Sequence, residues 1–214
     1  LRMSRGLGDV YKRQTWNSGT LNGAVDFTGA DGNDSANIGD VDLTTTSHIL
    51  SEGGSNSTLT FTNTHAGAGS AQIGSLAADA LPVTNIGTGW STLTVTGTGA
   101  DVQVVDNLQL SGTPLIQVTG GGTLRSGDNV TDATLASINN YNVSTDGADS
   151  LLVFNGLSAT QTYSGIISGS GGLERAGGGT TILTGENTYT GNTLIDNGGT
   201  LQLGNGGAPG ALSE

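Results

Sequence analysis

The 214-residue sequence contains no cysteine, only three prolines, and just 4% aromatic residues. The lack of cysteine excludes any disulfide, and it suits an exported chain that crosses a membrane unfolded, where a premature disulfide would block transit. No run of about 18 apolar residues occurs, so no segment is expected to span a membrane as a helix. The first residues also lack the apolar stretch of a secretory signal peptide.

Basic residues are scarce: 6 Lys or Arg stand against 18 Asp or Glu, for a net charge of −12. Such a chain cannot neutralise phosphates, which excludes nucleic acid as a partner. Long helices are also excluded, because 38 residues are Gly, and Gly weakens a helix interior by about 1 kcal/mol relative to Ala. With only 34% apolar residues, thin repeating layers are favoured over a compact domain.

Four of the six basic residues lie in the first fourteen, LRMSRGLGDVYKRQ. The string GDVYKRQ resembles the translated mosaic-end adapter of transposon-based sequencing libraries. We therefore predict that residues 1–14 are non-native and that residues 15–214, with 2 cations against 17 acids and a net charge of −15, are the native part. The native N-terminus would then be missing, so the lack of a signal peptide says nothing about location. A basic targeting or membrane-binding arm is the alternative.

From Thr15 onward, short alternating segments are separated by Gly, Asn, Asp and Ser, the pattern of strands and tight turns. Residues 57–63 (STLTFTN) resemble 91–97 (STLTVTG), and 121–127 (GGTLRSG) resemble 198–204 (GGTLQLG). Such self-similarity indicates a solenoid. Alternation predicts outward Thr, Gln and Asp and six inward pairs: Leu59 and Phe61, Leu93 and Val95, Val102 and Val104, Leu108 and Leu110, Ile116 and Val118, and Leu201 and Leu203.

An antiparallel sandwich is the competing fold. Asn-Gly or Asp-Gly dipeptides fit two-residue hairpins at 22–23, 31–32, 146–147, 155–156 and 205–206. The short strands, the scarcity of aromatics and the repeated Gly-Thr-Leu strings favour stacked coils, in which each strand pairs in parallel with the next coil. At ~20 residues per coil, the lower end of solenoid repeats, the chain would form about ten coils.

The strongest motif lies near the carboxyl end, in 163–173 (YSGIISGSGGL), 179–193 (GTTILTGENTYTGNT) and 199–204 (GTLQLG). These strings together resemble the passenger-associated repeat of autotransporters, the type V secreted proteins of Gram-negative bacteria, and we place the repeat at about 163–204. The residues that match the family's motif are Gly185, Asn187, Thr188, Tyr189, Thr190, Gly191, Thr193, Gly199, Thr200, Leu201, Leu203 and Gly204.

The chain departs from this repeat at two points. Leu173-Glu-Arg-Ala stands where the family usually has Leu-x-Lys-x-Gly, and Thr181-Ile182 inverts the usual Leu-Thr. The inversion is expected to turn Thr181 inward and Ile182 to the surface, which weakens that coil.

The resemblance implies an all-β fold, a right-handed parallel β-helix (β-solenoid). It implies a non-catalytic passenger, a stalk or adhesive surface, that is exported through the outer membrane and is displayed at the cell surface or secreted. The implied partner is the protein's own downstream outer-membrane β-barrel, and the expected ligand is a surface protein or a glycan. No enzyme activity, cofactor or metal is expected.

The residue types of the motif agree with this fold. Gly185, Gly191, Gly198 and Gly199 are expected to adopt positive φ at corners of a coil. Asn187, Asn192 and Asn197 are expected to bond their own backbone or to stack on equivalent Asn of adjacent coils. Tyr189 is expected to fill a corner pocket.

Three other groups of residues could carry chemistry. Asp40 and Asp42 would share one face of a strand, as the paired acids of a β-helix polysaccharide hydrolase or lyase do, although a solvated face is the plainer interpretation. His48 and His65 could bind a metal, but solvated turns are favoured. Residues 31–42 have oxygen-bearing side chains at several ligand positions of a helix-loop-helix calcium loop. They lack the Gly at the centre of such a loop, the Glu at its end and the helices on either side.

Two alternative functions remain at this point. A β-helix enzyme acting on polysaccharide would be expected to show aromatic platforms beside an acidic cleft, whereas Trp16 and Trp90 lie far apart in the sequence. A phage tail-spike or fibre shares the fold but not the Asn-Thr-Tyr-Thr-Gly string.

Overall fold

The computed structural model of the protein describes residues 13–20, 23–26, 35–42, 48–51, 57–62, 71–73, 84–86, 90–105, 108–127, 138 and 140–206. Within these ranges the chain forms nineteen strands and no helix. In chain order they are β1 (Arg13–Thr20), β2 (Gly23–Asp26), β3 (Ser35–Asp42), β4 (His48–Ser51), β5 (Ser57–Phe61), β6 (Ala71–Ile73), β7 (Thr84–Ile86), β8 (Trp90–Thr96), β9 (Asp101–Val104), β10 (Leu115–Thr119), β11 (Thr123–Ser126), β12 (Val143–Asp146), β13 (Leu151–Asn155), β14 (Thr160–Tyr163), β15 (Ile167–Ser168), β16 (Gly172–Ala176), β17 (Thr180–Leu183), β18 (Thr193–Ile195) and β19 (Thr200–Leu203).

The strands form three sheets. Sheet 1 has the order β1-β3-β5-β8-β10-β12-β15, sheet 2 the order β18-β16-β13-β11-β9-β6-β7-β4-β2, and sheet 3 the order β14-β17-β19. From β1 to β5 and from β8 to β13, strands of sheets 1 and 2 alternate along the chain, so each of these coils contributes to both sheets. The pairings between described strands are parallel, for example those of β8 with β10, β13 with β16 and β17 with β19. The predicted all-β parallel β-helix (β-solenoid) is therefore confirmed, while its handedness stays a prediction.

The dipeptides that suggested hairpins lie at corners between sheets. Gly147, with φ +100°, follows β12 of sheet 1 and leads into β13 of sheet 2. Asn155-Gly156 ends β13, and Gly206 follows β19 with φ +82°. Asn22 and residues 31–32 lie outside the described residues. At Gly147 and Gly206 glycine lets the chain turn with positive φ, which other residues adopt at a cost.

Coil length changes along the chain. Thr58 of β5 pairs with Thr92 of β8, and this long coil contributes both β6 and β7 to sheet 2. Near the carboxyl end, Thr180 pairs with Thr200, so the coil there is much shorter. The short spacing predicted for every coil is therefore right only for the last coils, and the described strands form fewer coils than expected.

One of the two sequence repeats corresponds to stacked strands. Leu59 of β5 pairs with Leu93 of β8, and Phe61 pairs with Val95, so the similar strings 57–63 and 91–97 lie in neighbouring coils. The second repeat does not stack, since β11 lies in sheet 2 and β19 in sheet 3. Sequence similarity there reflects a shared strand pattern and not a shared position.

The core is a narrow apolar column inside the coils. Full burial of one such side chain contributes about 1.5–3 kcal/mol. Four predicted pairs are fully buried, and in a fifth Leu108 is buried while Leu110 is half-buried against the core. The fully buried pairs are Leu59 and Phe61, Leu93 and Val95, Val102 and Val104, and Ile116 and Val118.

The sixth pair is in register with the buried Thr181 and Leu183, as its predicted inward direction requires, but it is less buried than the other pairs. Leu201 packs partly against the core, but Leu203 is 46% exposed. The reason is position in the sheet, because within the described residues β19 has only β17 as a neighbour. Alternation gives the direction of a side chain, whereas burial also requires a coil on each side.

Strand β1 begins inside the segment predicted to be adapter-derived. Arg13 pairs with Ser35, and Gln14 pairs with Ala36. Residues 1–12 lie outside the described residues, and the boundary at residue 15 stays a prediction.

Candidate functional site

The motif of the carboxyl-terminal repeat forms a rung between β17 and β18. Residues 185–193 run beside β15 and the turn after it: the N–H of Thr188 donates to Ile167 O, and the N–H of Thr190 to Gly169 O, both at 2.8 Å. The side chains of these two threonines are exposed. Because side chains alternate along an extended segment, the motif's Asn and Tyr face inward.

Asn187 joins two coils through its carboxamide. Its Oδ1 accepts the backbone N–H of Ile167 at 2.9 Å, and its Nδ2 donates to Gly185 O at 3.0 Å. The side chain is only 2% exposed. Of the two roles expected, bonding to backbone is therefore the one observed for this residue, and it reaches the preceding coil as well as its own.

The other two asparagines differ from Asn187. Asn192 has an exposed side chain, and its backbone carbonyl oxygen accepts the backbone N–H of Leu173 at 3.0 Å. Asn197 has φ +53°, and its backbone N–H donates to Asp196 Oδ1 at 2.6 Å. Asn tolerates this left-handed conformation better than most residues do. These two residues shape the last coil that the structure describes, without filling the interior.

Tyr189 occupies the interior, as expected, with 3% exposure. Its hydroxyl shares a 2.6 Å hydrogen bond with Thr193 Oγ1. Burial raises the pKa of the Tyr189 phenol, and the hydrogen bond to Thr193 lowers it in part. A buried hydroxyl needs a partner, and the motif supplies one four residues further on.

Three motif glycines serve close approach between coils rather than positive φ, which corrects the expectation. A Cβ added to Gly185 would lie 2.3 Å from Gly165 O, and a Cβ added to Gly191 would lie 2.3 Å from Gly171 O. At Gly199 the nearest atom would be Gly177 O, at 2.7 Å. Backbone of one coil therefore rests directly on backbone of the coil before it.

Two other glycines of this region do need positive φ. Gly198 has φ +77°, as expected, with nothing within 4 Å of an added Cβ, and Gly204 has φ +72°. Of the remaining motif residues, Thr193 and Thr200 are exposed at the starts of β18 and β19.

The inverted dipeptide of β17 behaves as predicted. Thr181 faces inward with 1% exposure, whereas Ile182 is only half-buried. A hydroxyl thus replaces an apolar side chain at an interior position of sheet 3.

Arg175 is a functional candidate that sequence reasoning missed. It lies in β16, two residues after the inward Leu173, and is 1% exposed. Its Nη1 donates to Phe154 O at 3.0 Å and its Nη2 to Gly156 O at 3.1 Å. Burial lowers the pKa of the guanidinium. The alternation that placed Leu173 inward could have identified Arg175, had its charge not suggested the surface.

Sheet 1 carries an ordered polar surface, which we call the threonine face. The hydroxyl of Thr119 donates to Thr96 Oγ1 at 2.9 Å, and that of Thr94 to Gln117 Oε1 at 3.5 Å. Strand geometry sets the spacing, at ~4.8 Å between coils and about 7 Å along a strand. The face consists of outward polar side chains on β5, β8 and β10 and just after β5, which are Thr58, Thr60, Thr62, Thr92, Thr94, Thr96, Gln117 and Thr119. The exposed Leu115 of β10 lies beside them, in register with Thr92.

None of the aromatic rings whose surroundings are described is fully exposed on this or another outer face. Trp90 is fully buried in the core. Phe154 and Tyr163 pack edge to face with ring centroids 5.1 Å apart, and Tyr163 donates its hydroxyl hydrogen bond to Tyr141 O. The described rings are therefore buried or half-buried: Phe61, Trp90, Tyr141, Phe154, Tyr163 and Tyr189.

The other candidate residues fall largely outside what the structure describes. Asp40 and Asp42 lie two apart in β3, and His48 begins β4, but their side chains are not among the described ones. His65 and residues 31–34 of the calcium-like loop are also outside, as is the side chain of Trp16. In the described part of the chain, no group of three or more His, Asp or Glu side chains is arranged to hold a metal ion.

The described ranges contain no helix with the length and apolar character needed to cross a membrane.

Comparison with known families identifies the carboxyl-terminal segment. The passenger-associated-transport-repeat family matches residues 173–203, which run from β16 to the end of β19 and lie within the predicted range of 163–204. No curated protein and no solved structure matches the chain. The matched repeat, together with the parallel solenoid that contains it, fits a passenger segment of an autotransporter.

Proposed function

We propose that the chain is a non-catalytic autotransporter passenger segment, a β-helical stalk or adhesive surface that is displayed at the cell surface or released after export through the outer membrane. The observation that carries the proposal is the repeat match at 173–203. It coincides with short coils of uniform spacing, in which Leu173 pairs with Thr193 and Thr180 with Thr200. The partner in export is the protein's own downstream outer-membrane β-barrel.

The threonine face is the surface proposed for adhesion. Its hydroxyl and amide groups both donate and accept hydrogen bonds, which suits a surface protein or a glycan as ligand. Parallel stacking fixes these side chains in rows, so a ligand can be bound through many weak contacts without reordering the protein.

The described aromatic rings support binding over cleavage of sugars. Trp90 and Tyr163 are buried, so neither can form a stacking platform beside an acidic cleft. A polysaccharide hydrolase or lyase and a phage tail-spike or fibre remain the alternatives, and no observation on the described residues favours either.

Export is tested by fusing the full chain, behind a signal peptide, to an autotransporter barrel in Gram-negative cells. Removing residues 174–193 deletes one whole coil of the repeat, because Leu173 pairs with Thr193. Removing residues 93–115 deletes a whole coil outside it, because Thr92 pairs with Leu115. Protease accessibility on intact cells should fall several-fold more for the first deletion than for the second. Equal losses would contradict a specific role of the repeat in export.

Adhesion is tested with beads coated with the full chain on glycan arrays and immobilised extracellular proteins. Thr60→Glu with Thr94→Glu places charge in the centre of the threonine face and should reduce binding at least tenfold. Thr162→Glu with Thr200→Glu changes exposed threonines of sheet 3 and serves as the matched control. Equal binding by the two variants would exclude the threonine face as the adhesive surface. If the native chain binds no ligand, the stalk role is the one that remains.

A further inference from the structure

One corner of the solenoid interior brings three buried polar side chains together. Gln161 of β14 and Thr181 of β17 are in register with each other, and they are 5% and 1% exposed. Arg175, 1% exposed, precedes the same corner on β16. Arg175 stands where the usual repeat has Lys, and the inverted Thr181-Ile182 adds a hydroxyl on the other side of the same corner.

The contacts of Gly179 locate the guanidinium beside β14. An added Cβ on Gly179 would lie 2.7 Å from Arg175 Nη2 and 2.4 Å from Ala159 O. The arginine therefore reaches the residue that precedes β14. Gln161 follows Ala159 by two residues and is buried in register with Thr181, so its side chain enters the interior on the β14 side of the same corner.

Two buried donors at this corner have no acceptor from the chain. They are Arg175 Nε and Gln161 Nε2. The remaining guanidinium contacts are neutral carbonyls, and in the described part of the chain no carboxylate pairs with Arg175. Arg125, in contrast, forms a 2.9 Å ion pair with Asp101 on the surface. A buried charge without a counter-charge and a buried donor without an acceptor are both costly, so such groups are normally satisfied.

We propose that this corner encloses a small monatomic anion of the halide class, which accepts hydrogen bonds from Arg175 Nε and Gln161 Nε2. Because both groups only donate, their common partner must accept. Because the guanidinium is positive, a negative partner offsets the cost of its burial. Because both side chains are buried, the partner must also be small, which favours chloride or bromide over sulfate or phosphate.

The direct test is anomalous diffraction from the full chain, refolded and crystallised with bromide as the only halide. The expected result is a bromine peak within about 3.5 Å of Arg175 Nε and Gln161 Nε2. A map with no bromine at the corner, or with a water molecule alone bridging the two nitrogens, would overturn the proposal.

The second test measures thermal unfolding of the full chain in sodium bromide and in sodium acetate of equal ionic strength. A bound halide stabilises only the folded state, so bromide at a hundredfold excess over Kd should raise Tm by about 5 °C or more. Arg175→Met should remove this difference, and Gln161→Leu should reduce it. Arg125→Met, which removes a surface cation, should keep it.

Equal halide responses of the native chain and Arg175→Met would contradict the site. If Arg175→Met does not fold, the bromide map and the comparison of Gln161→Leu with Arg125→Met still decide the question. A native chain that unfolds at the same temperature in both salts would also contradict the proposal.

Discussion

The side-chain Oδ1 of Asn187 accepts the backbone N–H of Ile167, in the preceding coil, at 2.9 Å. Its Nδ2 donates to Gly185 O at 3.0 Å, so one buried carboxamide satisfies backbone groups of two successive coils. Buried backbone groups are expensive to leave unpaired. The asparagine of the motif therefore stabilises the stacking of coils.

Asn187→Ala should lower the free energy of unfolding by about 1–3 kcal/mol, because it leaves the buried backbone N–H of Ile167 without a partner, whereas Gly185 O keeps the backbone N–H of residue 187. Urea denaturation followed by circular dichroism measures the change. Asn192→Ala is the matched control, since its side chain is exposed, and it should change stability by less than about 0.5 kcal/mol. Similar losses for the two variants would refute the bridging role.

Gly191→Ala should destabilise the protein by about 3 kcal/mol, because the new Cβ would lie 2.3 Å from Gly171 O and would force two coils apart. Gly198→Ala should cost only about 1–2 kcal/mol, from its positive φ, since nothing lies within 4 Å of its added Cβ. Denaturation midpoints in urea give both values. A larger loss at Gly198 than at Gly191 would contradict the close-approach argument.

Stability should fall at alkaline pH because of buried tyrosines. Burial raises the pKa of Tyr163 above its ordinary value of 10.0, and burial raises that of Tyr189 as well. Below pH ~10 both the folded and the unfolded chain keep the two phenol protons, so the stability that these tyrosines contribute is fully present. Above it the unfolded chain loses protons that the folded chain keeps, so stability falls by up to about 1.4 kcal/mol per pH unit for each tyrosine.

Urea unfolding at a series of pH values from 9 to 12 checks this slope, and tyrosinate absorbance follows ionisation in the folded chain. Tyr163→Phe should have a shallower alkaline loss than the native chain. An unchanged slope in this variant would show that Tyr163 is not the group responsible.

Backbone amides of β18 and β19 should exchange with deuterium at least tenfold faster than those of β16 and β17. Among the described strands β18 pairs only with β16 and β19 only with β17, and Leu194, Ile195 and Leu203 are 54%, 50% and 46% exposed. Local opening is easiest where few apolar contacts must be broken. Exchange as slow in β18 as in β16 would mean that β18 is covered on its free side.

The full chain should release neither reducing ends nor unsaturated products from polysaccharides. The physical reason is that the described aromatic rings are buried or half-buried and offer no platform on which a sugar ring could stack. Reducing-sugar and absorbance assays on acidic and neutral polysaccharides test this. Activity that disappears in an Asp40→Asn, Asp42→Asn double variant would move the protein to the enzyme class.

The period of the sequence was enough to predict much of the fold. Alternation placed Leu93 and Val95 inside, and the similarity of 57–63 to 91–97 corresponds to two strands that stack. Both depend only on the two-residue period of a strand, which a sequence displays directly.

The contacts between coils could not be predicted in the same way. Gly185 and Gly191 have no room for a side chain, because a backbone carbonyl of the preceding coil lies against each of them. The hydrophobic pattern does not predict the burial of Arg175, because that burial depends on backbone carbonyls of β13 and of the turn after it. Coil length was equally hidden, because nothing in the local pattern reveals that the coil beginning with β5 is far longer than the coil beginning with β17.

The glycine contacts also have a mechanical consequence. At Gly185, Gly191 and Gly199 the carbonyl oxygen of one coil meets the α-carbon of the next, so no deformable side chain lies between them. Backbone in van der Waals contact is nearly incompressible, whereas interior side chains can shift between rotamers. Gly185 follows β17 of sheet 3, Gly191 precedes β18 of sheet 2, and Gly199 lies between β18 and β19, so the three contacts are at different corners of the coil. Bending in any direction compresses at least one of these corners, and this part of the stack should therefore resist bending on every side.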